Sequence, residues 1–241
     1  MLINAGIAYF VLKYSANSSG MFSTYAFMVT LMLGCFIFFI VITIVPILKS
    51  ARDSKTFEKK LLAIKSDFGV FDYFLTKSAP VGQAYDNLGI ILGNPSGKNE
   101  IIKVCNPYCG PCSALHPKLE HLMNNNPDLK VRVIFTASSE VDDIKRRPVT
   151  LFLALQQEYG DSFTHKALNT WYGMPKKNYE SFASNYKVSN AVLHEQNLKI
   201  IAMRQWCDSM KIRATPTLFV NGFELPAEYG ADDLAKLLMH Q

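Results

Sequence analysis

No charged residue occurs between Lys13 and Lys49, a gap too long for a water-exposed loop or amphipathic helix, each of which needs polar residues on its solvated side. The chain also lacks a stripe of Lys and Arg interleaved with aromatic residues, so its formal charge of +5 does not point to nucleic acid. Neither an internal repeat nor a low-complexity tract is present, which excludes a solenoid and a biased disordered tail. Cysteine is sparse, at five residues in 241, and its placement matters more than its number.

What fills the charge-free gap is apolar. Residues 25–48 are almost wholly hydrophobic, about the length a helix needs to cross a bilayer. The sequence therefore predicts a membrane segment at 1–48, with a transmembrane helix at about 22–48 and the lipid bilayer as its partner. A secretory signal would be shorter and would follow a basic N-terminus, whereas residues 2–12 are apolar. That earlier run is too short to span alone and starts abruptly at Met1. It reads as a partial helix, with the expectation that the chain is the C-terminal part of a larger membrane protein.

Lys49, Arg52, Lys55, Lys59 and Lys60 crowd behind the apolar run as a solvated juxtamembrane face. By the positive-inside tendency they would hold the following domain in the cytoplasm, although long domains are translocated despite such charge. Residues 49–86 read as a helical connector. Phe57, Leu61, Leu62 and Ile64 predict a short amphipathic helix, and residues 68–75 an aromatic packing patch.

The soluble part, residues 87–241, opens with an apolar run and a turn cluster at 93–97. A strand at 101–104 then leads to Cys109-Gly110-Pro111-Cys112, and a helix follows over 113–123 with Leu115, Leu119 and Leu122 on one face. Val131, Val133 and Phe135 alternate as in a strand. Residues 138–213 are mostly helical, with Asp161 placed to cap a helix and Leu198, Ala202, Trp206 and Met210 recurring every fourth residue. Strand signals return at 217–220, turn at Asn221-Gly222 and resume at 223–225, before a last helix over about 232–240.

A Cys-x-x-Cys pair between a strand and a helix reads as a redox site. The helix start turns its unpaired N–H groups and positive dipole end toward Cys109, favouring thiolate. Cys109 is the candidate nucleophile, and Cys112, one turn further in, the candidate resolving thiol.

This order of elements resembles the thioredoxin fold, an α/β class here carrying a helical insertion before the proline strand and preceded by a transmembrane helix. Cys109-Gly110-Pro111-Cys112 is identical to the thioredoxin active-site tetrapeptide, Tyr108 supplies the usual preceding aromatic, and Pro117 matches the proline of the active-site helix. Ala214-Thr215-Pro216-Thr217 looks like the loop whose proline is cis. The resemblance implies that Thr215 and Pro216, with Tyr108, hold an extended substrate beside the thiolate. The insertion is closer to DsbA-type relatives, and a domain behind a membrane helix resembles the thioredoxin-like domain fused to bacterial homologues of vitamin K epoxide reductase. In those fusions a membrane unit passes electrons to a quinone, but the paired cysteines such a unit needs are missing from residues 1–50, where Cys35 stands alone. Thioredoxins also place a buried acid six residues before the first cysteine, and Lys103 occupies that position here. Lys103 either stabilises the Cys109 thiolate or points to solvent; His116 is a substitute relay or a surface residue beside the helix kink.

Other chemistries use some of the same residues. Cys105, Cys109 and Cys112 have the spacing of an iron–sulfur site in radical enzymes, which need a far larger barrel, and adding His116 gives a Cys3His set suited to zinc. Cys105 otherwise reads as half-buried at a strand end, or as a thiol able to trap Cys109, and Cys207 as packing. A binding module without turnover is the remaining alternative. The expectation is a thiol–disulfide oxidoreductase, anchored in the inner membrane with its catalytic domain periplasmic. It would act on cysteine-containing proteins with no cofactor beyond its own disulfide, reaching a quinone only through a membrane redox partner.

Overall fold

The computed structural model describes Lys13, residues 20–82 and residues 84–238; the partial helix expected at 2–12 lies outside the described residues. The chain divides into two units, residues 1–62 and 63–241.

Helix α1 spans Gly20–Lys65. Its apolar part leaves Phe27, Leu31, Phe36, Phe38, Phe39 and Ile42 exposed, a continuous surface that water would penalise by about 25 cal/mol for each Å². The hydroxyls of Thr30 and Thr43 donate back to the carbonyls of Ala26 and Phe39, both at 2.8 Å, so neither presents a free donor on that surface. Among the described residues this is the one helix long and apolar enough to cross a membrane. Residues 57–64 are helical, as a continuation of α1 rather than as a short helix of their own. No Gly or Pro occurs between Lys49 and Lys65 to end α1, so the helix runs on with Phe57, Leu61, Leu62 and Ile64 exposed.

The break comes at Asp67, whose carboxylate accepts from the Val70 N–H (3.0 Å) and caps α2, Phe68–Lys77. Only Phe71 and Leu75 of the expected aromatic patch are buried, one turn apart, and Phe71 meets Tyr229 edge-on at 5.0 Å. Phe68, Tyr73 and Phe74 face outward.

The sheet has five strands, β1 (Ile90–Gly93), β2 (Asn99–Cys105), β3 (Leu129–Phe135), β4 (Thr217–Val220) and β5 (Phe223–Glu224), in spatial order β1-β3-β2-β4-β5. β2 and β3 are parallel; the other pairs are antiparallel. β2 and β3 are central and nearly continuous in burial, so the alternation read at 131–135 does not mark a solvated face. Arg132 lies buried, its guanidinium donating to Glu100 (2.9 Å) and to the carbonyls of Asp86 and Leu88 (2.9 Å each). Asn221 and Gly222 both take positive φ, 47° and 88°, and close the β4–β5 hairpin as the sequence implied.

α3 (Gly110–Asn125) crosses from β2 to β3. The insertion supplies α4 (Arg146–Tyr159), α5 (Asp161–Gly173), α6 (Tyr179–Ala183), α7 (Asn190–Glu195) and α8 (Asn197–Ser209), and α9 (Ala231–Leu238) ends the described chain. Asp161 is the first residue of α5 rather than its cap; Gly160, at φ 80°, takes the cap position that a β-carbon would strain. On α8 the buried face is Ile200, Met203, Trp206 and Cys207, and Leu198 is exposed. A strict four-residue repeat advances about 40° per step around a helix, so Leu198 and Met210 drift off the face that Trp206 defines.

Candidate active site

β2 ends at Cys105, and residues 106–108 turn the chain into α3. Asn106 organises that turn: its carbonyl accepts from the Cys109 N–H (3.1 Å) and its side chain from the Tyr108 N–H (2.9 Å). The Pro107 carbonyl accepts from Nε1 of the fully buried Trp171 (2.8 Å), and Tyr108 packs edge-on against the same indole at 5.4 Å. The loop is thus fixed by an aromatic residue from the insertion.

Cys109 is the N-cap of α3, half-buried, with Gly110 and Pro111 exposed beside it. Its thiol donates to the Thr215 carbonyl at 3.2 Å, and the Thr215-Pro216 bond is cis. The structure therefore places Cys109, flanked by Tyr108, Gly110 and Pro111, against the Thr215-Pro216 turn. Cys112 is fully buried one turn along. Its thiol is pushed far up by the hydrogen bond to Cys105, by burial and by the charge of Cys105, against smaller opposing contributions from the Asn106 backbone and Cys109. One sulfur is reachable and the other is shielded and holds its proton, an asymmetry suited to attack followed by resolution.

Beneath the cysteines the structure corrects three readings. Lys103 does not point to solvent: it is fully buried, its ammonium donating to the Cys112 carbonyl (3.3 Å) and lying 4.2 Å from the Tyr172 ring centre. Desolvation lowers its pKa, although Cys105, Cys112 and Glu120 work against that. His116 is not on the surface, because Cys112 and His116 are four residues apart on the inner face of α3. Burial and the Lys103 charge bring it down to about 4, so the ring is neutral at physiological pH. Nδ1, 3.4 Å from the Lys103 Nζ, is then the acceptor, and Nε2–H donates to Asn169 at 2.6 Å. With both ring nitrogens engaged, His116 is poorly disposed to complete a Cys3His zinc set. Cys105 is fully rather than half buried, its sulfur 3.0 Å from the Tyr172 hydroxyl. Cys207 is buried packing, pushed up to about 12 by burial.

Sequence reasoning missed Tyr172, Asn169, His165 and Glu120. His165 Nε2 donates to Glu120 at 2.6 Å, and Asn169 Nδ2 reaches the same carboxylate at 3.3 Å. The i,i+4 pairs His116/Glu120 and His165/Asn169 are visible in the sequence, but not that their helices meet.

A family model described as thioredoxin matches residues 86–239. The chain belongs to the thioredoxin family. Among solved structures, this thioredoxin-family chain is similar to Proteus mirabilis ScsC in a transitional conformation (TM-score 0.54, 14% identity, 79% of this chain and 90% of that one). It is also similar to oxidised BdbD from Bacillus subtilis (TM-score 0.52, 14% identity, 68% and 99%). A thioredoxin-like oxidoreductase from Silicibacter pomeroyi DSS-3 matches at TM-score 0.50, with 14% identity over 62% of this chain and 90% of that one. At these identities the likeness is one of fold. No curated protein matches the chain.

Proposed function

We propose that the chain is a membrane-tethered thiol–disulfide oxidoreductase acting on cysteine-containing proteins. In the oxidising direction for the protein, the Cys109 thiolate attacks a substrate disulfide, forming a Cys109–substrate bond and releasing the first substrate thiolate. Cys112 then attacks the Cys109 sulfur, forming the Cys109–Cys112 disulfide and releasing the second. The substrate gains two electrons and the protein loses two; the reverse sequence oxidises a client dithiol. Backbone groups of Thr215 and the faces of Pro216 and Tyr108 hold the client strand. The observation that carries this reading is the half-exposed Cys109 at the cap of α3 directly above a buried, protonated Cys112. The oxidoreductase description of the Silicibacter pomeroyi neighbour and the matching tetrapeptide support it.

The tether is α1, and we place the catalytic domain outside the cytoplasm, because a thiol relay has most to do in an oxidising compartment. The five juxtamembrane cations pull the other way, but they do not prevent translocation of a long domain. The electron partner would be a membrane redox unit of the vitamin K epoxide reductase type, the only route to a quinone. Two measurements on the full chain test this. Cys112→Ser should accumulate a covalent Cys109–client adduct that reductant releases, and Cys109→Ser should form none; equal labelling of both variants would refute the assignment. In intact cells, a membrane-impermeant alkylator should block Cys109; protection until lysis would put the domain in the cytoplasm.

A further inference from the structure

Apart from the cysteines, the soluble domain carries an open cavity of about 560 Å³ in its helical insertion. We propose that this cavity is a specificity subsite that takes an acidic side chain of the client protein, a few residues from the client cysteine. The proposal rests on the disulfide-exchange reading above and adds how a client is chosen.

The lining fixes the sign of the ligand. Arg146, Arg147 and His194 line the cavity, Thr150 and Asn190 add hydrogen-bonding side chains, and no Asp or Glu is among the lining residues. Arg147 lies over the Tyr179 ring at 4.2 Å and holds Glu180 at 2.7 Å, but both members of that ion pair are exposed, so it contributes little and yields readily to another carboxylate. Arg146 is in no ion pair among the described residues. Both arginines stand in the first turn of α4, which has neither an acidic residue nor a side-chain cap. Cations there oppose the helix dipole, an unfavourable placement that a bound anion relieves. Helix α8 also begins at this cavity, at Asn197 and without a side-chain cap, and its first-turn N–H groups add to the same positive potential.

The size and position of the cavity favour a client segment over a free inorganic ion. Its volume lies in the range of organic-ligand pockets, about 300–1,000 Å³, far more than a lone phosphate fills. Val141, 91% exposed, and Leu193 set apolar surface beside the guanidinium groups, which suits the stem and neighbours of a Glu or Asp. The cavity is also tied to the cysteine loop through one aromatic layer. Tyr108, adjacent to Cys109, packs on Trp171, Trp171 meets Phe182 of α6 at 5.1 Å, and Tyr179 begins that helix. The Arg147 and Tyr179 side chains are near enough to act on the Tyr108 hydroxyl. An extended strand advances about 3.3 Å per residue, so six residues to either side of a client cysteine sample about 20 Å of this surface.

The test uses the reduced full chain in detergent and a set of peptides, each closed by one disulfide and carrying a single Glu, Gln or Lys at successive positions within about six residues of a cysteine. Quenched mass spectrometry follows conversion of the chain to its Cys109–Cys112 disulfide across peptide concentrations. At the position that reaches the cavity, wild type should use the Glu peptide about tenfold faster than the Gln peptide at low concentration, through a lower half-saturating concentration and with an unchanged maximal rate. Arg146→Gln should remove most of that preference, and Arg146→Glu should reverse it in favour of Lys. Neither change threatens the fold, because a cation at a helix start is replaced by a neutral or an acidic residue. Hydroxyethyl disulfide, too small and uncharged to use the cavity, should react with all three chains at one rate. Equal use of Glu and Gln peptides by wild type at every position would overturn the proposal and leave the exchange reading intact. A Glu preference that persists in Arg146→Glu would also overturn it, as would slowed reduction of hydroxyethyl disulfide by Arg146→Gln, which would make Arg146 a structural residue. Failure of wild type to reduce any of these disulfides would remove the exchange reading itself.

Discussion

Two buried indoles of the soluble domain offer a controlled comparison. Trp171 is fully buried, touches Tyr108, Phe152 and Phe182 (ring centres 5.4, 5.9 and 5.1 Å), and donates to the Pro107 carbonyl at 2.8 Å. Trp206 is 2% exposed and packs on Phe219 and Tyr85, but its Nε1 has no partner among the described residues. Trp→Phe removes the same atoms at each site, a packing and cavity loss of about 1–2 kcal/mol common to both. At 171 it also orphans the Pro107 carbonyl, adding about 1–3 kcal/mol. At 206 it relieves a desolvated N–H, returning part of that loss. Trp171→Phe should therefore cost about 2–4 kcal/mol more than Trp206→Phe. For a protein of this size that is a gap of roughly 5–15 °C in melting temperature. Thermal unfolding of the reduced full chain in micelles, followed by tryptophan-independent far-ultraviolet circular dichroism, reads it directly. Equal losses, or a larger loss at 206, would refute the assignment of the Trp171–Pro107 bond as the anchor of the active-site loop. Because Pro107 lies two residues before Cys109, Trp171→Phe should also slow adduct formation, and Trp206→Phe should not.

Of the soluble domain's four cysteines, iodoacetamide at neutral pH should modify Cys109 first, with Cys105, Cys112 and Cys207 protected until denaturant is added; peptide mapping checks this. The Glu120 hydrogen bond raises the His165 pKa, and that contribution to stability is present below about 6.5 and lost as pH rises through the raised value. Burial opposes ionisation of Glu120, but His165 and Asn169 hold it below the usual range, so its contribution is lost as pH falls through that lowered value. The pair is strongest between about pH 4.3 and 6.5, and Glu120→Gln should return the His165 NMR titration toward about 6.5; an unmoved titration would break the pairing. Gly89→Ala should cost about 2–4 kcal/mol, because φ is +73° and a Cβ would run into the Val133 carbonyl oxygen. Gly222→Ala, at φ +88° with open space around it, should cost only about 1–2 kcal/mol by thermal melting.

The features legible in the sequence are those with local causes. Asn221-Gly222 closes a hairpin because its two residues tolerate positive φ, and Cys109 caps a helix because Gly110 and Pro111 start one. What was hidden depends on the neighbours of a central strand. β2 is covered on both faces, so no alternation tells which way Lys103 points, and Tyr172, which receives it, lies in a helix far along the chain. The sequence leaves His116 open between a relay and a surface residue because a histidine near a helix proline has no distinctive pattern; its burial follows from α5 packing on α3, which the spacing of His165, Asn169 and Tyr172 does not reveal without a partner. The overrun of α1 past residue 48 is the opposite case: charge suggested a boundary, but without a breaking residue the backbone continued.

The most direct measurement is a redox titration of the full chain in glutathione buffers, counting Cys109 and Cys112 thiols at equilibrium. Wild type should give one reversible two-electron transition, absent in Cys109→Ala and unchanged in Cys207→Ala. A midpoint near about −270 mV would mark a reductant and one near about −120 mV an oxidant. No transition, or one that survives Cys109→Ala, would contradict the exchange chemistry assigned to this pair.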